Sequence, residues 1–431
     1  MPKAAPDAWV RPRLLTVPAP SFAPPPDPET MLPDPESGGT RLHAAVVKAA
    51  EAIWHFETFE AGPGLDLPPL PEPGMCASSD KAWTVTILAP TGLGLATGGF
   101  AGDATPAVRL LAATADRCVT HPNAVNAAAL NWAPHELAYV EGGLLDGWLA
   151  GRWDLLPRRA HTVGVLLDAG LPERGRIAIE NALGAFRTVG GGRVLLDEMA
   201  QPLRLSLARG TGGRSVGSVE DATDLIDGAC RLRSQGATAL AIVSDMSALA
   251  LHDAAYASGS GPDPIGGLEA MLSRVVGRAL GMPTAHAPWL PPSCDPVDPR
   301  GAAEELGLDY LLCILRGLQR APVPVPPGTA DAWPAEGLLV FPATAAGGSG
   351  TLAAASRGLS LLAVRNPGVL DVTPEALGLS CLHAASWPEA AGLSIALREG
   401  LAPETLARPL GPTPTRPVGG NLRGRPGVMK T

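Results

Sequence analysis

Short apolar runs recur along this chain, each followed by a loop bearing glycine or aspartate and then by a stretch with helical spacing. The runs are 82–89 (AWTVTILA), 117–120 (RCVT), 162–167 (TVGVLL), 203–208 (LRLSLA), 238–244 (TALAIVS), 284–287 (TAHA), 337–342 (GLLVFP) and 360–365 (SLLAVR). Apolar residues at helical intervals mark helices near 106–115, 124–131, 173–187, 219–234, 264–280, 299–306, 350–358 and 387–399. Pro106 behind Thr105 and Ser218 with Asp221 read as helix starts, the second as a capping box. Strands alternating with helices predict mainly parallel sheets covered on both faces. The expected fold is α/β and Rossmann-like, with sheets flanked by helices and two lobes meeting at a cleft.

Ahead of this body, residues 1–40 are proline-rich and predict an extended arm, since proline neither donates to a ladder nor sits inside a helix. Residues 41–60 (RLHAAVVKAAEAIWHFETFE) read as an amphipathic helix carrying His43 and His55, with a linker to 79. A first lobe then spans 80–210 and a second 211–400, and a Pro- and Arg-rich tail closes the chain at 401–431.

In parallel sheets, ligands bind beyond the carboxyl ends of the strands. The first run exits into PTGLGLATGGFAGDATP, where Thr91, Gly92, Gly94, Gly98, Gly99 and Asp103 precede a helix. Glycines let backbone N–H groups approach an anion, and a helix N-terminus favours negative charge. The spacing G-x-G-x-x-x-G is not that of a dinucleotide fingerprint, and the helix begins too late for one. Gly347, Gly348 and Ser349 form a second such turn, and the loop 259–267 holds Asp263. His121 and Asn123 follow the second run, Asp168 the third, and His286 belongs to the run at 284–287. Histidine titrates near neutrality and suits general acid/base work, so His121, Asp168, His286 and Asp103 are the catalytic candidates. Thr91, Gly92, Gly94, Gly98, Gly99, Asn123, Asp263, Gly347, Gly348 and Ser349 are the anion-binding candidates, and Arg316 or Arg320 could pair with the anion. Each has a plainer reading: Asn123 caps a helix, Asp168 holds its own loop, and the glycines permit tight turns.

Composition narrows the chemistry. Only four of the 33 basic residues are lysines, and no Gly-Lys-Ser or Gly-Lys-Thr occurs, which removes P-loop nucleotide hydrolysis and leaves little room for Schiff-base chemistry. The match G-x-S-x-G at 213–217 lies five residues beyond its strand, so Ser215 is not read as an elbow nucleophile. No H-E-x-x-H or C-x-x-C occurs, and a metal would need dispersed ligands such as His121, His286 and Asp168; none is predicted. A net charge of −9 argues against nucleic acid, and no apolar run reaches the ~20 residues of a membrane span. Six scattered cysteines and no apolar leader point to the cytoplasm.

Several segments together resemble one family: TGLGLATGGFAGDATPAVRLLA, THPNAVNAAALNW, AYVEGGLLDGW, VGVLLDAG, GPDPIGGLEAMLSRVVGRALGMPTAHAP, AAEELGLDYLLCILRGLQRAPV and FPATAAGGSGTLA. The chain from about 80 to 380 is similar to the bacterial and plant-plastid domain of unknown function 3326, which implies a shared site at these strand exits but no particular activity. Asn131-Trp132 stands where the family has Tyr-Trp, and Gly143 where it has Tyr, which implies a divergent substrate. The functional expectation is an enzyme acting on a small carboxylate or phosphate by acid/base chemistry: a lyase, an isomerase or a cofactor-free hydrolase. A nucleotide-cofactor oxidoreductase or transferase, and a non-catalytic ligand-binding protein, are the alternatives. No cofactor, nucleic acid or membrane is expected as a partner, and the arm suggests a homodimer.

Overall fold

The computed structural model describes residues 8–20, 28–74, 82–126, 137–250, 254–291, 298–302, 308–406 and 408–411. The second half of the helix expected at 124–131, the end of that at 299–306, and the tail beyond 411 lie outside them.

With strands numbered in chain order, the N-terminal region forms an antiparallel sheet. β1 (Val10–Pro18), β2 (Thr40–Ala49), β3 (Ile53–Ala61), β10 (Leu205–Arg209) and β11 (Ser215–Val219) lie in the order β10-β11-β1-β3-β2. The helix expected at 41–60 is therefore the β2–β3 hairpin. Short apolar runs do not separate helix from strand by period alone. Here the β-branched Val46 and Val47 and the aromatic Trp54, Phe56 and Phe59 outweigh the alanines, because both faces of the hairpin are buried. Trp54 and Phe56 join one core cluster, Leu42 and Phe59 another. Of the expected arm, Val10–Pro18 is extended while Pro28–Met31 is a short helix, and β1 is an inner strand rather than an appendage. It tolerates Pro12 because its ladder with β11 involves only Val10, opposite Val219, so Pro12 leaves no partner there without a donor.

The first parallel sheet contains β4 (Thr84–Ile87), β5 (Arg117–Thr120), β6 (Leu137–Tyr139), β15 (Leu338–Pro342), β16 (Ser360–Val364) and β17 (Leu382–Ala384), in the order β17-β16-β15-β4-β5-β6. The second contains β8 (Thr162–Leu167), β9 (Arg193–Glu198), β12 (Ala239–Asp245) and β13 (Thr284–Trp289), in the order β13-β12-β8-β9. All pairings in both are parallel. β4, β13 and β15 are buried at every position, including the threonines of β4 and Thr284 and His286 of β13. β7 (Asp154–Leu156) and β14 (Val323–Val325) form a separate two-stranded antiparallel ladder. The first sheet takes strands from both ends of the α/β region and the second is inserted between them, so the sheets do not divide the chain at residue 210. The run at 203–208 belongs to the antiparallel sheet, and Ser218 is a β11 residue bonded to Ser206, not a cap. Asp221 is the cap: its carboxylate accepts the Thr223 N–H at 3.0 Å where the helix Thr223–Ser234 begins.

From β4 the chain moves to β5 and β6 on one side, and the later β15, β16 and β17 add on the other. The connections leaving β4 and β15 thus diverge and open a crevice beyond the strand ends. The glycine-rich loop after β4 borders it. Gly102 has φ +85°, and a Cβ there would lie 1.9 Å from the Asn126 carbonyl oxygen. Gly102→Ala should destabilise the protein by about 3 kcal/mol in a denaturant titration. Gly184→Ala, in the helix Glu173–Thr188 with open space around it, should instead stabilise by about 0.5–1 kcal/mol. Equal effects would deny the loop its close packing.

Candidate functional site

The crevice holds a cavity of about 180 Å³. Its walls come from the antiparallel five-stranded sheet and both parallel sheets: Thr91 after β4, His121 and Asn123 after β5, Gly347 and Gly348 after β15, His286 on β13, and His43 and Phe59 on the hairpin. The helices Gly142–Leu149, Gly266–Leu280 and Ser349–Ser356 all start here, bringing Gly142, Gly266, Gly267, Gly348 and Gly350 to the lining. Three helix N-termini at one cavity make it favourable for negative charge.

His121 is buried, and its Nε2 accepts the Ala89 N–H at 2.9 Å. That bond requires a neutral ring with its proton on Nδ1. Burial agrees, pushing its pKa down to about 4. His121 is therefore suited to donate a hydrogen bond rather than to act as a base. Asn123 spends its amide on the Ala89 and Gly98 carbonyls, 2.8 and 3.0 Å away, and so holds the glycine-rich loop.

His286 is placed differently. Its Nε2 lies 2.7 Å from Ser244 Oγ and its Nδ1 3.2 Å from Glu269 Oε1. Ser244 is fully buried and does not line the cavity, so the row is a hydrogen-bonded relay and not a nucleophile triad. Burial lowers the His286 pKa to about 3 and raises that of Glu269 to about 8. At neutral pH the pair is an un-ionised carboxylic acid beside a neutral imidazole. Glu269 lines the cavity, with 20% of its side chain accessible. Asp263 lies just before the same helix, its carboxylate accepting the Ile265 N–H at 2.9 Å. Burial, with the nearby Glu269, raises its pKa to about 7.

Two arginines face the cavity. Arg214 pairs with Glu57 of β3, both almost fully buried, and its Nε is buried with no hydrogen-bond partner. Arg274 donates to Asp146 at 2.9 Å. Asp146 also accepts from Ser349 Oγ at 2.9 Å and lies 3.4 Å from His43 Nδ1. Burial opposes ionisation of Asp146, but Arg274 and the bonds from His43 and Ser349 prevail and hold it well below the usual carboxylate range. Burial and Arg274 push His43 down to about 4.

Other expected site residues stand apart from the cavity. Asp168 accepts the N–H groups of Gly170 and Leu203 at 2.9 and 3.0 Å and fastens the loops after β8 and β9. Asp103 pairs with Arg300 at 2.6 Å and takes the Gly98 N–H. Gly92, Gly94, Gly98 and Gly99 shape the loop from behind: Gly92 gives its carbonyl to Ser215 and Gly94 packs on Gly261. Ser349 is bound to Asp146. Arg316 bonds Gln319 and Gly190, and neither it nor Arg320 lines the cavity. Ser215 Oγ accepts the Gly267 N–H at 3.2 Å, a packing role. Among the described residues no cluster of His, Cys, Asp or Glu could hold a metal, and no helix is long and apolar enough to cross a membrane.

Glu269, Arg274, Asp146, Arg214 and His43 were not singled out from the sequence. One signal was present: Glu269 and Arg274 interrupt the apolar helix GGLEAMLSRVVGRAL, and Asp146 interrupts GGLLDGWL. A charge inside an apolar helix needs a buried partner.

The family described as "Protein of unknown function (DUF3326)" matches residues 84–407, and the chain belongs to it. The chain is also 38% identical over 347 residues to an uncharacterized lipoprotein of Synechococcus, covering 76% of this chain and 94% of the relative. No solved structure matches.

Proposed function

We propose that this member of the DUF3326 family is an enzyme that transfers a proton to or from a small organic anion, with Glu269 as the acid/base. The observation that carries the reading is the Glu269 carboxyl, 3.2 Å from His286 Nδ1, on the wall of a cavity where three helix N-termini and Arg214 converge; burial pushes its pKa up towards neutrality and beyond. The anion would sit against the helix starts and the Arg214 Nε–H, with the His121 Nδ1–H as a further donor. Bonding of Oε1 to His286 leaves Oε2 of Glu269 for the ligand. Protonation of a carbanion or enolate, and the reverse abstraction, need a carboxyl whose pKa lies near the working pH. Lyase and isomerase reactions share that step.

Calorimetry against C2–C6 carboxylates and phosphate esters would identify ligands, and each that binds would be held with the protein in D2O. Wild type should bind one class and place deuterium on its carbon. Glu269→Gln should keep binding and lose exchange by a factor of about 100 or more. Arg214→Met should weaken binding by about tenfold. A ligand bound without any exchange in wild type would make this a binding protein instead. A cytoplasmic location belongs to the same reading. The relative's name, lipoprotein, supplies the contrary outcome: recovery of the native protein with membranes, released only by detergent.

A further inference from the structure

The groups that would hold the anion all donate hydrogen bonds: the His121 Nδ1–H, the Arg214 Nε–H and the first N–H groups of three helices. His43 is the exception, and its neighbours decide which end of its ring is bare. Ser349 has one hydroxyl proton and gives it to Asp146, 2.9 Å away, so towards His43 Nδ1, at 3.3 Å, it can only accept. Asp146, ionised beside Arg274, is likewise an acceptor, 3.4 Å from the same Nδ1. Two acceptors at Nδ1 place the ring proton there. Nε2 of the neutral ring is then a lone-pair acceptor, and among the described residues none donates to it.

The Phe59 ring ties this acceptor to the anion site. The His43 ring lies 5.6 Å from it, and so does the Arg214 guanidinium. All three residues line the first cavity, so His43 and Arg214 meet it beside one ring. A ligand whose anionic group rests on Arg214 therefore has an acceptor within reach of its neighbouring carbons. A ligand group that only accepts would leave Nε2 dry and unpaired, which is costly. An ammonium would pair with it, but three helix N-termini and Arg214 disfavour a cation here. A hydroxyl satisfies both conditions. The volume of about 180 Å³, below the ~300–1,000 Å³ of ordinary small-molecule sites, restricts the ligand to a few carbons.

We propose that the ligand of this cavity is a small hydroxycarboxylate, its carboxylate on Arg214 and its hydroxyl donating to His43 Nε2. Asp146 and Ser349 are positioning residues that keep the ring proton on Nδ1. The assignment rests on the reading of the cavity as an anion site and names the substrate class; it uses neither Glu269 nor His286.

Calorimetry on the full chain tests it with lactate, 3-hydroxybutyrate and malate, each against its parent acid: propionate, butyrate and succinate. At least one hydroxy acid should bind, and at least about tenfold more tightly than its parent. Its methyl ether, which accepts but cannot donate, and its amino counterpart should each bind at least about tenfold more weakly. His43→Phe keeps a ring against Phe59 and removes Nε2. It should bring the hydroxy acid down to its parent and leave the parent's affinity within about twofold. If thermal unfolding shows that this variant does not fold, the ether comparison on wild type decides. No binding by any of the three hydroxy acids, a parent or ether as tight as its hydroxy acid, a tighter amino counterpart, or an unchanged hydroxyl preference in His43→Phe would overturn the proposal. The proton-transfer reading fails separately, on a bound ligand that exchanges no deuterium, and the hydroxyl preference would survive that result.

Discussion

Asp146→Ala should lower the unfolding free energy by about 3–5 kcal/mol in a denaturant titration. Three groups converge on this carboxylate: Arg274, Ser349 and His43. Removing it leaves the Arg274 guanidinium, 11% accessible, without its counter-charge. A buried charge stripped of its partner costs more than the pair contributes, because the desolvation penalty remains while the attraction is gone. Asp146→Asn keeps the shape and a hydrogen-bond acceptor for Ser349 but removes the charge, and should recover a minority of the loss. Arg274→Met together with Asp146→Ala should be less damaging than Asp146→Ala alone, since no lone charge remains. Additive losses in that cycle would show that the two do not act as a pair. The depressed Asp146 pKa also sets a pH sign. Its contribution is full above the unfolded value near ~3.9 and fades only as pH falls through the lower folded value.

Between pH 6.5 and 8 the protein should lose about 1–2 kcal/mol of stability as pH rises, and Glu269→Gln should remove most of that slope. In this window an unfolded glutamate is already ionised, whereas folded Glu269 still carries its proton up to about pH 8. Folding therefore takes up a proton, and raising the pH opposes it. Asp263, raised to about 7, acts in the same direction over the lower half of the window. The buried histidines have the opposite sign: His43, His121 and His286 are neutral when folded and become protonated on unfolding below about pH 6.5. Their contribution rises with pH, is complete only about one unit above 6.5, and so offsets part of the loss at the lower end of the window. Stability should thus peak near pH 6–6.5 and fall on either side. Chemical-denaturation midpoints of wild type and Glu269→Gln at half-unit pH steps measure this. A wild-type curve flat from 6.5 to 8 would mean that Glu269 is ionised, and would remove the acid assigned to the reaction.

The parallel sheets were legible because strands covered on both faces are mostly apolar and are separated by helical stretches, and β4, β8, β12, β13, β15 and β16 match runs read directly from the chain. Part of the lining of the candidate cavity was legible from the strand ends. His121, His286, Thr91, Gly347 and Gly348 were chosen as strand-exit or strand-end residues, and the cavity gathers all five. The β2–β3 hairpin was not legible, because each of its strands contributes to two core clusters and loses the two-residue alternation that would have revealed a strand.

Local sequence thus determined which segments become parallel strands, where they end, and that the ends carry glycine, histidine and carboxylates. It did so because burial and backbone hydrogen bonding act over a few residues. Only the tertiary structure decided what those groups do. It turned His121 into a donor by aiming the Ala89 N–H at Nε2, and made Asp168 and Asp103 loop fasteners. It paired Asp146 with Arg274 across 128 positions of chain and set Glu269 beside His286 in a place dry enough to keep its proton. Desolvation and charge pairing depend on neighbours in space, and those neighbours come from segments that the linear order keeps far apart.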